Sequence, residues 1–203
     1  MEKTKDTYYT ITTASEQTLY KDRGSKFYGY AFPVNTLEDI KHCIDTLKKK
    51  HYTAGHFCYA WQLGETYQKY RANDDGEPNN SAGMPIYGQL QAYDLTNTLV
   101  VCVRYFGGIK LGVGGLIQAY KTSAKLTLDT ATIEEKTIDI SFLLLFEYPQ
   151  MSLVMRNIKD QKIKIISQKL EHNCNLTISV RKKDADRIFN LFDTIHMVGI
   201  KKL

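Results

Sequence analysis

The stretch RYFGGIKLGVGGLIQAY, Arg104–Tyr120, holds five glycines in seventeen residues. It follows the apolar run TLVVCVRYF and leads into a segment with amphipathic helical spacing. The apolar residues of that run continue rather than alternate, which predicts a strand buried on both faces. Glycines between such a strand and a helix serve one of two ends. They form a tight corner that packs helix on sheet, or they let the backbone approach an anion at the positive end of the helix.

Outward from this corner, the first segment of the chain alternates strands and helices. YYTITTAS and SKFYGYAFPV are rich in β-branched and aromatic residues and predict strands. NTLEDIKHCIDTLKKKHY predicts a helix, because Leu37, Ile40, Ile44 and Leu47 fall on one stripe. Thr36 is placed as its N-cap, with Asp39 reaching back as the partner of a capping box. HFCYAWQL predicts a strand, residues 64–80 a polar loop, AGMPIYGQLQAYD a short helix, and residues 113–130 the helix after the glycines.

Beyond residue 131 the pattern changes. TIDISFLLLFEY, KIKIISQKLEH, NLTISVRKK and MVGIKK predict strands, and QMSLVMRNIKD and DADRIFNLFDTI predict helices. The order β-α-β-β-α-β is that of a ferredoxin-like unit. The chain is therefore read as α+β with two domains, residues 1–131 and 132–203, joined by a short charged linker near residues 129–135.

Composition sets outer bounds. The chain has 203 residues and a net charge of +5, with net +2 over residues 1–130 and net +3 over residues 131–203. A surplus of this size permits nucleic-acid contact without demanding it. No apolar run is long enough for a transmembrane helix, and the N-terminus carries no apolar signal core, so no membrane contact and a cytoplasmic location are expected. Cys43, Cys58, Cys102 and Cys174 are widely spaced in apolar segments, which argues against a disulfide framework or a zinc knuckle.

Two clusters bear chemistry. RANDDGEPNNSAGMPI carries Asp74, Asp75 and Glu77 within four residues. Such a cluster is solvated, paired or metal-bound; its Asp-Gly and Glu-Pro steps favour a turn, and the spacing is not that of a calcium loop. His56 and Cys58 lie two apart on one strand and share a face, either as a thiol with a base or as a packed thiol beside a site-lining histidine. At the glycine corner, Arg104 and Lys110 add positive charge to a backbone opened by Gly107, Gly108, Gly112, Gly114 and Gly115. Together these residues form a candidate anion or nucleic-acid site. The phosphate loop of nucleotide hydrolases is absent, because no Gly-Lys-Ser/Thr follows, and the dinucleotide fingerprint lacks its acidic partner.

SKFYGYAFPV, HFCYAW, DDGEPNNSAGMPI and NTLVVCVRYFGGIKLGVGGLIQAY resemble the YigZ/Impact family, across essentially the whole chain. That resemblance implies an N-terminal unit similar to elongation factor G domain IV and the GHMP kinases, and a C-terminal unit similar to elongation factor G domain V. It implies a non-enzymatic protein that binds RNA or the ribosome, or a protein partner, with a role in translation regulation and no cofactor or metal. An enzyme acting on a phosphorylated or peptide-like substrate is one alternative, and a protein-interaction module is another. The chain departs from the family pattern at Asn79-Asn80-Ser81, where Ser-Gly-Thr is common, and at Gln118, where an arginine is common.

Overall fold

The computed structural model describes residues 5–203. The first four residues of the expected N-terminal domain lie outside them. The chain divides into two compact units, one of residues 8–136 and one that joins residues 137–203 to the segment ending at Thr7.

In the first unit, five strands form one sheet in the order β2-β3-β6-β4-β5. They are β2 (Thr18–Asp22), β3 (Ser25–Pro33), β4 (His56–Leu63), β5 (Lys69–Asn73) and β6 (Thr98–Tyr105). β6 is central, antiparallel to β3 and β4, and buried along nearly its whole length. Its side chains serve two cores. Val100 and Cys102 face α2 (Gly83–Ala92) and α3 (Gly112–Asp129), while Leu99, Val101 and Val103 face α1 (Leu37–Lys50). An unbroken apolar run is the sequence consequence of that double coverage. Each core side chain buried there contributes roughly 1.5–3 kcal/mol.

α1 forms as its sequence predicts. Thr36 caps it, Thr36 Oγ1 accepts from the Asp39 amide, and the Asp39 carboxylate accepts from the Thr36 amide. Ile40, Ile44 and Leu47 are its buried stripe. The Asn35 amide, which also donates to this carboxylate, and then Thr36 hold the Asp39 carboxyl below its usual range.

Two strands of this sheet lie where no strand was expected. β2 pairs with β3 through the two-residue turn Arg23-Gly24, both with positive φ, as a tight hairpin requires. β5 falls inside the predicted polar loop; it is an exposed, charged edge strand, which blunts sheet-to-sheet association. The expected linker is also structured. β7 (Ile133–Thr137) pairs with β1 (Thr7–Ile11), so the change of unit comes at Lys136–Thr137 rather than at residue 131. Asp6 then ties into the second unit, accepting from Arg181 Nε at 2.7 Å and from the Ile138 amide.

The second unit has strands β8 (Asp139–Glu147), β9 (Lys164–Lys169), β10 (Asn173–Arg181) and β11 (Val198–Lys202). Their order, β11-β8-β10-β9, is fully antiparallel and is that of the ferredoxin-like fold. α4 (Met151–Asp160) and α5 (Ala185–Asp193) place Val154, Ile158, Ile188 and Phe192 against Phe142, Leu144, Leu176 and Ile178. These are the apolar faces that the periodicity predicts.

On the α1 side of the first unit, His51 closes the helix C-terminus onto the sheet. Tyr30 donates to Gln17 Oε1 (2.6 Å), so the 2.6 Å contact to His51 Nε2 makes His51 the donor, and Nδ1 accepts from Tyr105 at 2.9 Å. Burial, with Lys50 beside it, pulls the His51 pKa below its ordinary value. The unfolded chain therefore takes up this proton more readily than the folded one, and acidification below about pH 6.5 removes stability. Urea unfolding at pH 8 and pH 5.5 checks this: wild type loses stability between the two, and His51→Gln shows a smaller loss.

Candidate functional site

The chemistry-bearing residues of the first unit converge where β6 ends. Arg104 on β6 sits opposite His56 on β4, and the 74–77 loop folds back across both. Arg104 Nη1 donates to Glu77 Oε1 at 2.6 Å, and both side chains are 5% exposed. Tyr120, fully buried on α3, donates to the same Oε1 at 2.8 Å. Cys58 Sγ lies 3.2 Å from the Tyr120 hydroxyl and 3.0 Å from the Asp74 carbonyl. The Arg104 guanidinium lies between the rings of Phe27 (5.5 Å) and Phe106 (5.6 Å), and Nη2 donates to Ser25 Oγ at 3.3 Å.

The acidic loop uses each carboxylate differently. Asp74 caps α2 from a distance: Oδ1 accepts from the Ala82 and Gly83 amides at 2.9 and 2.8 Å, and Oδ2 from the Asn80 amide at 2.9 Å. Asp75 Oδ2 accepts from the Phe57 amide at 2.6 Å, which pins the loop to β4. Glu77 turns inward to Arg104. Among the described residues no group of three acidic, histidine or cysteine side chains converges as a metal site does. The loop is a clasp, and its carboxylates are taken up by protein donors.

His56 and Cys58 do share a face, yet they make different bonds. His56 Nδ1 lies 2.9 Å from the Asp75 carbonyl, and Nε2 lies 3.9 Å from Glu77 Oε1. Burial pushes the Cys58 thiol well above its ordinary range, and its hydrogen bond with the Tyr120 hydroxyl offsets this only in part. A thiol held protonated is a poor nucleophile. Tyr120 is held protonated for the same reason, with Cys58 and Glu77 pushing the same way. It is thus a permanent donor to Glu77.

The glycine corner begins with a close approach. Gly107 packs on the Gly24–Ser25 backbone so tightly that a Cβ would lie 1.8 Å from the Gly24 carbonyl carbon. Ser25 Oγ accepts from the Gly107 amide at 3.2 Å. Gly108 and Gly112 have φ of +87° and +72°, a conformation that favours glycine. α3 starts at Gly112, with no side-chain cap and no acidic residue in its first turn. Lys110 is exposed beside it. The structure thus brings Lys110 and the glycines to one helix end, while Arg104 lies beneath them with its charge met by Glu77. Gln118 points along the exposed face, bonded to Thr122.

A pocket of about 260 Å³ opens at this corner. Phe106, Leu111, Val113 and Leu116 form its apolar walls, with Lys110, Arg104 and Glu77 as its polar members. Phe106 and Val113 are more than half exposed. Tyr120, Ser25 and Phe106 were not singled out in the sequence. Tyr120 shares the buried face of α3 with Leu116, Ala119 and Ala124 and with the hydroxyls of Ser123 and Thr127, so no local pattern sets it apart.

The second unit offers a different surface. The two helices cover one face of its sheet; the other carries Ser141, Leu143 and Leu145 on β8 and Asn175, Thr177 and Ser179 on β10. Register places Lys164 beside Ser179, Lys169 beside Asn175 and Lys201 beside Leu143. Exposed lysines therefore flank, from both edge strands, a centre that is polar along β10 and apolar along β8. Residues 137–203 carry 11 Lys+Arg against 7 Asp+Glu, net +4.

Residues 23–128, just over half of the chain, match the Impact N-terminal domain. The IMPACT family member YvyE of Bacillus subtilis is 38% identical over 131 residues, 64% of this chain and 60% of that protein. The Escherichia coli member YigZ is 32% identical over 144 residues, 70% of this chain and 71% of that protein. A solved structure described as a hypothetical protein superposes with a TM-score of 0.73 at 25% identity, covering 98% of this chain and 97% of the other. The chain belongs to the YigZ/Impact family.

Thiol labelling separates the two readings of Cys58. At pH 8 in the native protein, Cys58 and Cys102 stay unmodified by iodoacetamide, the Cys102 thiol being pushed up to about 12 by burial. Both are modified once the chain is unfolded in urea. Rapid native alkylation of Cys58 contradicts the packed-thiol assignment.

Proposed function

We propose that this chain is a non-catalytic binding protein of the translation apparatus, and that it contacts RNA phosphates, on the ribosome or in structured RNA, through the open face of its second unit. The observation that carries the reading is the placement of Lys164, Lys169 and Lys201 on both edge strands, around a centre that is hydroxyl- and amide-rich along β10 and carries Leu143 and Leu145 along β8. Lysine side chains neutralise phosphates, while Asn, Thr and Ser supply hydrogen bonds at the same surface. Membership of the family supports the same direction. Lys169 shares a largely solvent-exposed ion pair with Glu171, which is too weak to withhold it from a phosphate.

The first unit supports a binding rather than a catalytic reading. Its carboxylates accept from protein donors, its site thiol is held protonated, and its arginine is neutralised. Activated nucleophiles and bases need the opposite arrangement.

Filter binding to ribosomes and to structured RNA tests the proposal. Three neutralised phosphates predict a loss of affinity of more than about tenfold between 50 and 200 mM salt. Lys164→Glu, Lys169→Glu and Lys201→Glu combined should abolish retention while leaving the unfolding midpoint within error, since all three are exposed. Negligible retention of wild type at both salt concentrations, or full retention by the triple variant, overturns it.

A further inference from the structure

We propose that the open face of the second unit ends in a subsite for one unpaired guanine of RNA, held by Glu147 with the Asn173 and Asn175 amides. This rests on the phosphate-binding reading of that face and adds base specificity to it. A hollow of about 510 Å³ opens there, and its lining includes Leu145, Glu147, Asn173, Asn175 and Met197. Register puts these side chains on one surface. Leu145 pairs with Asn175 and Glu147 with Asn173, all on the face opposite the buried Phe146 and Cys174. Val198 pairs with Phe146, which sets Met197, one residue earlier, at the Glu147 end of the sheet.

Glu147 is the residue that phosphate contact alone does not explain, because a carboxylate repels phosphates. Two other carboxylates at this surface are engaged: Asp139 accepts from Ser179 at 3.3 Å, and Glu171 pairs with Lys169 at 3.3 Å. Glu147 is exposed and, among the described residues, has no hydrogen-bond or ion-pair partner for its side chain. The side-chain amides of Asn173 and Asn175 are likewise exposed and unbonded.

That set of groups selects a base. Unpaired RNA bases are read on their Watson–Crick edges. A carboxylate accepts from two adjacent N–H donors at once. Guanine presents two such donors side by side, N1–H and the 2-amino group, whereas adenine, cytosine and uracil each present one donor group on that edge. The guanine O6 lies next to them and accepts from an asparagine amide. Lys169, which pairs with Asn175, and Lys201, which pairs with Leu143, stand on either side for the flanking phosphates.

Leu145 and Met197 supply the contact for the flat face of the base. They are 43% and 56% exposed. Opposite Leu145, β11 carries Gly199, so no side chain of that strand covers it. A base laid over the two side chains takes both out of water, and a thioether sulfur makes favourable contacts with aromatic rings. Met197 has a φ of +61°, a left-handed conformation that a residue other than glycine, asparagine or aspartate adopts at a cost. A methionine kept at such a position is explained by what its side chain touches.

Fluorescence anisotropy with the full chain and short single strands tests the subsite. The probes are oligouridine and the same strand with one uridine replaced by guanosine, inosine or adenosine. The guanosine strand binds about tenfold or more tighter than the adenosine strand, as one bidentate base contact predicts. Inosine, which lacks the 2-amino group, falls between them. Glu147→Gln removes the preference without weakening the binding of oligouridine. Met197→Gly weakens binding of the guanosine strand while its unfolding midpoint stays equal or rises, because glycine adopts the positive φ without strain. Equal binding of all four strands, or variants that keep the wild-type preference, overturns the subsite and leaves the lysine-edged face standing. Binding of no strand at low salt also overturns the subsite, and retention of ribosomes in the filter assay then decides the phosphate reading separately.

Discussion

The buried ion pair between Arg104 and Glu77 is the constraint on which the first unit's corner depends. Two charges that are each 5% exposed carry a large desolvation penalty. The penalty is met because each group has further partners: Tyr120 on the carboxylate, and Ser25 with the rings of Phe27 and Phe106 on the guanidinium. Those partners come from β3, β6, α3 and the 74–77 loop. One interaction therefore ties four separate stretches of chain together, and breaking either half leaves the other as an uncompensated buried charge.

From that pair the rest of the corner follows. Glu77 can face inward only if its loop is held, and Asp74 and Asp75 hold it from α2 and β4. Arg104 can lie flat beneath the surface only if β6 passes close to the β2–β3 turn, and Gly107 permits that approach. α3 then begins over the pair with its N-terminus turned outward. The acidic cluster is a structural clasp, paired with protein donors, and the surface it supports is apolar with a cationic edge.

Much of this was legible in the sequence, and the misses have physical causes. Continuous burial of β6, the Thr36–Asp39 capping box and the ferredoxin-like order were readable because each depends on local periodicity or on residues three apart. β5 was missed because an edge strand of Lys69, Tyr70 and Arg71 has the composition of a loop, and pairing partners decide its state. β2 left a signal in Arg23-Gly24 that only the hairpin geometry makes plain. β7 is exposed throughout, so no apolar pattern marked it, and the linker reading failed there. At the site, the sequence brought the right segments forward but assigned Arg104 to an external anion. Its partner Glu77 is 27 residues away, and such distant pairing has no local signature. Tyr120 was passed over because it reads as one more aromatic on a helix face.

The most direct test of this account is a double-mutant cycle on the pair, with Glu77→Leu, Arg104→Met and the double variant compared by urea unfolding. The account predicts that each single change costs about 3–5 kcal/mol, as expected when a buried charge loses its partner, and that the double variant is more stable than either single one. Single variants that each cost less than about 1 kcal/mol, with effects that add in the double variant, contradict it.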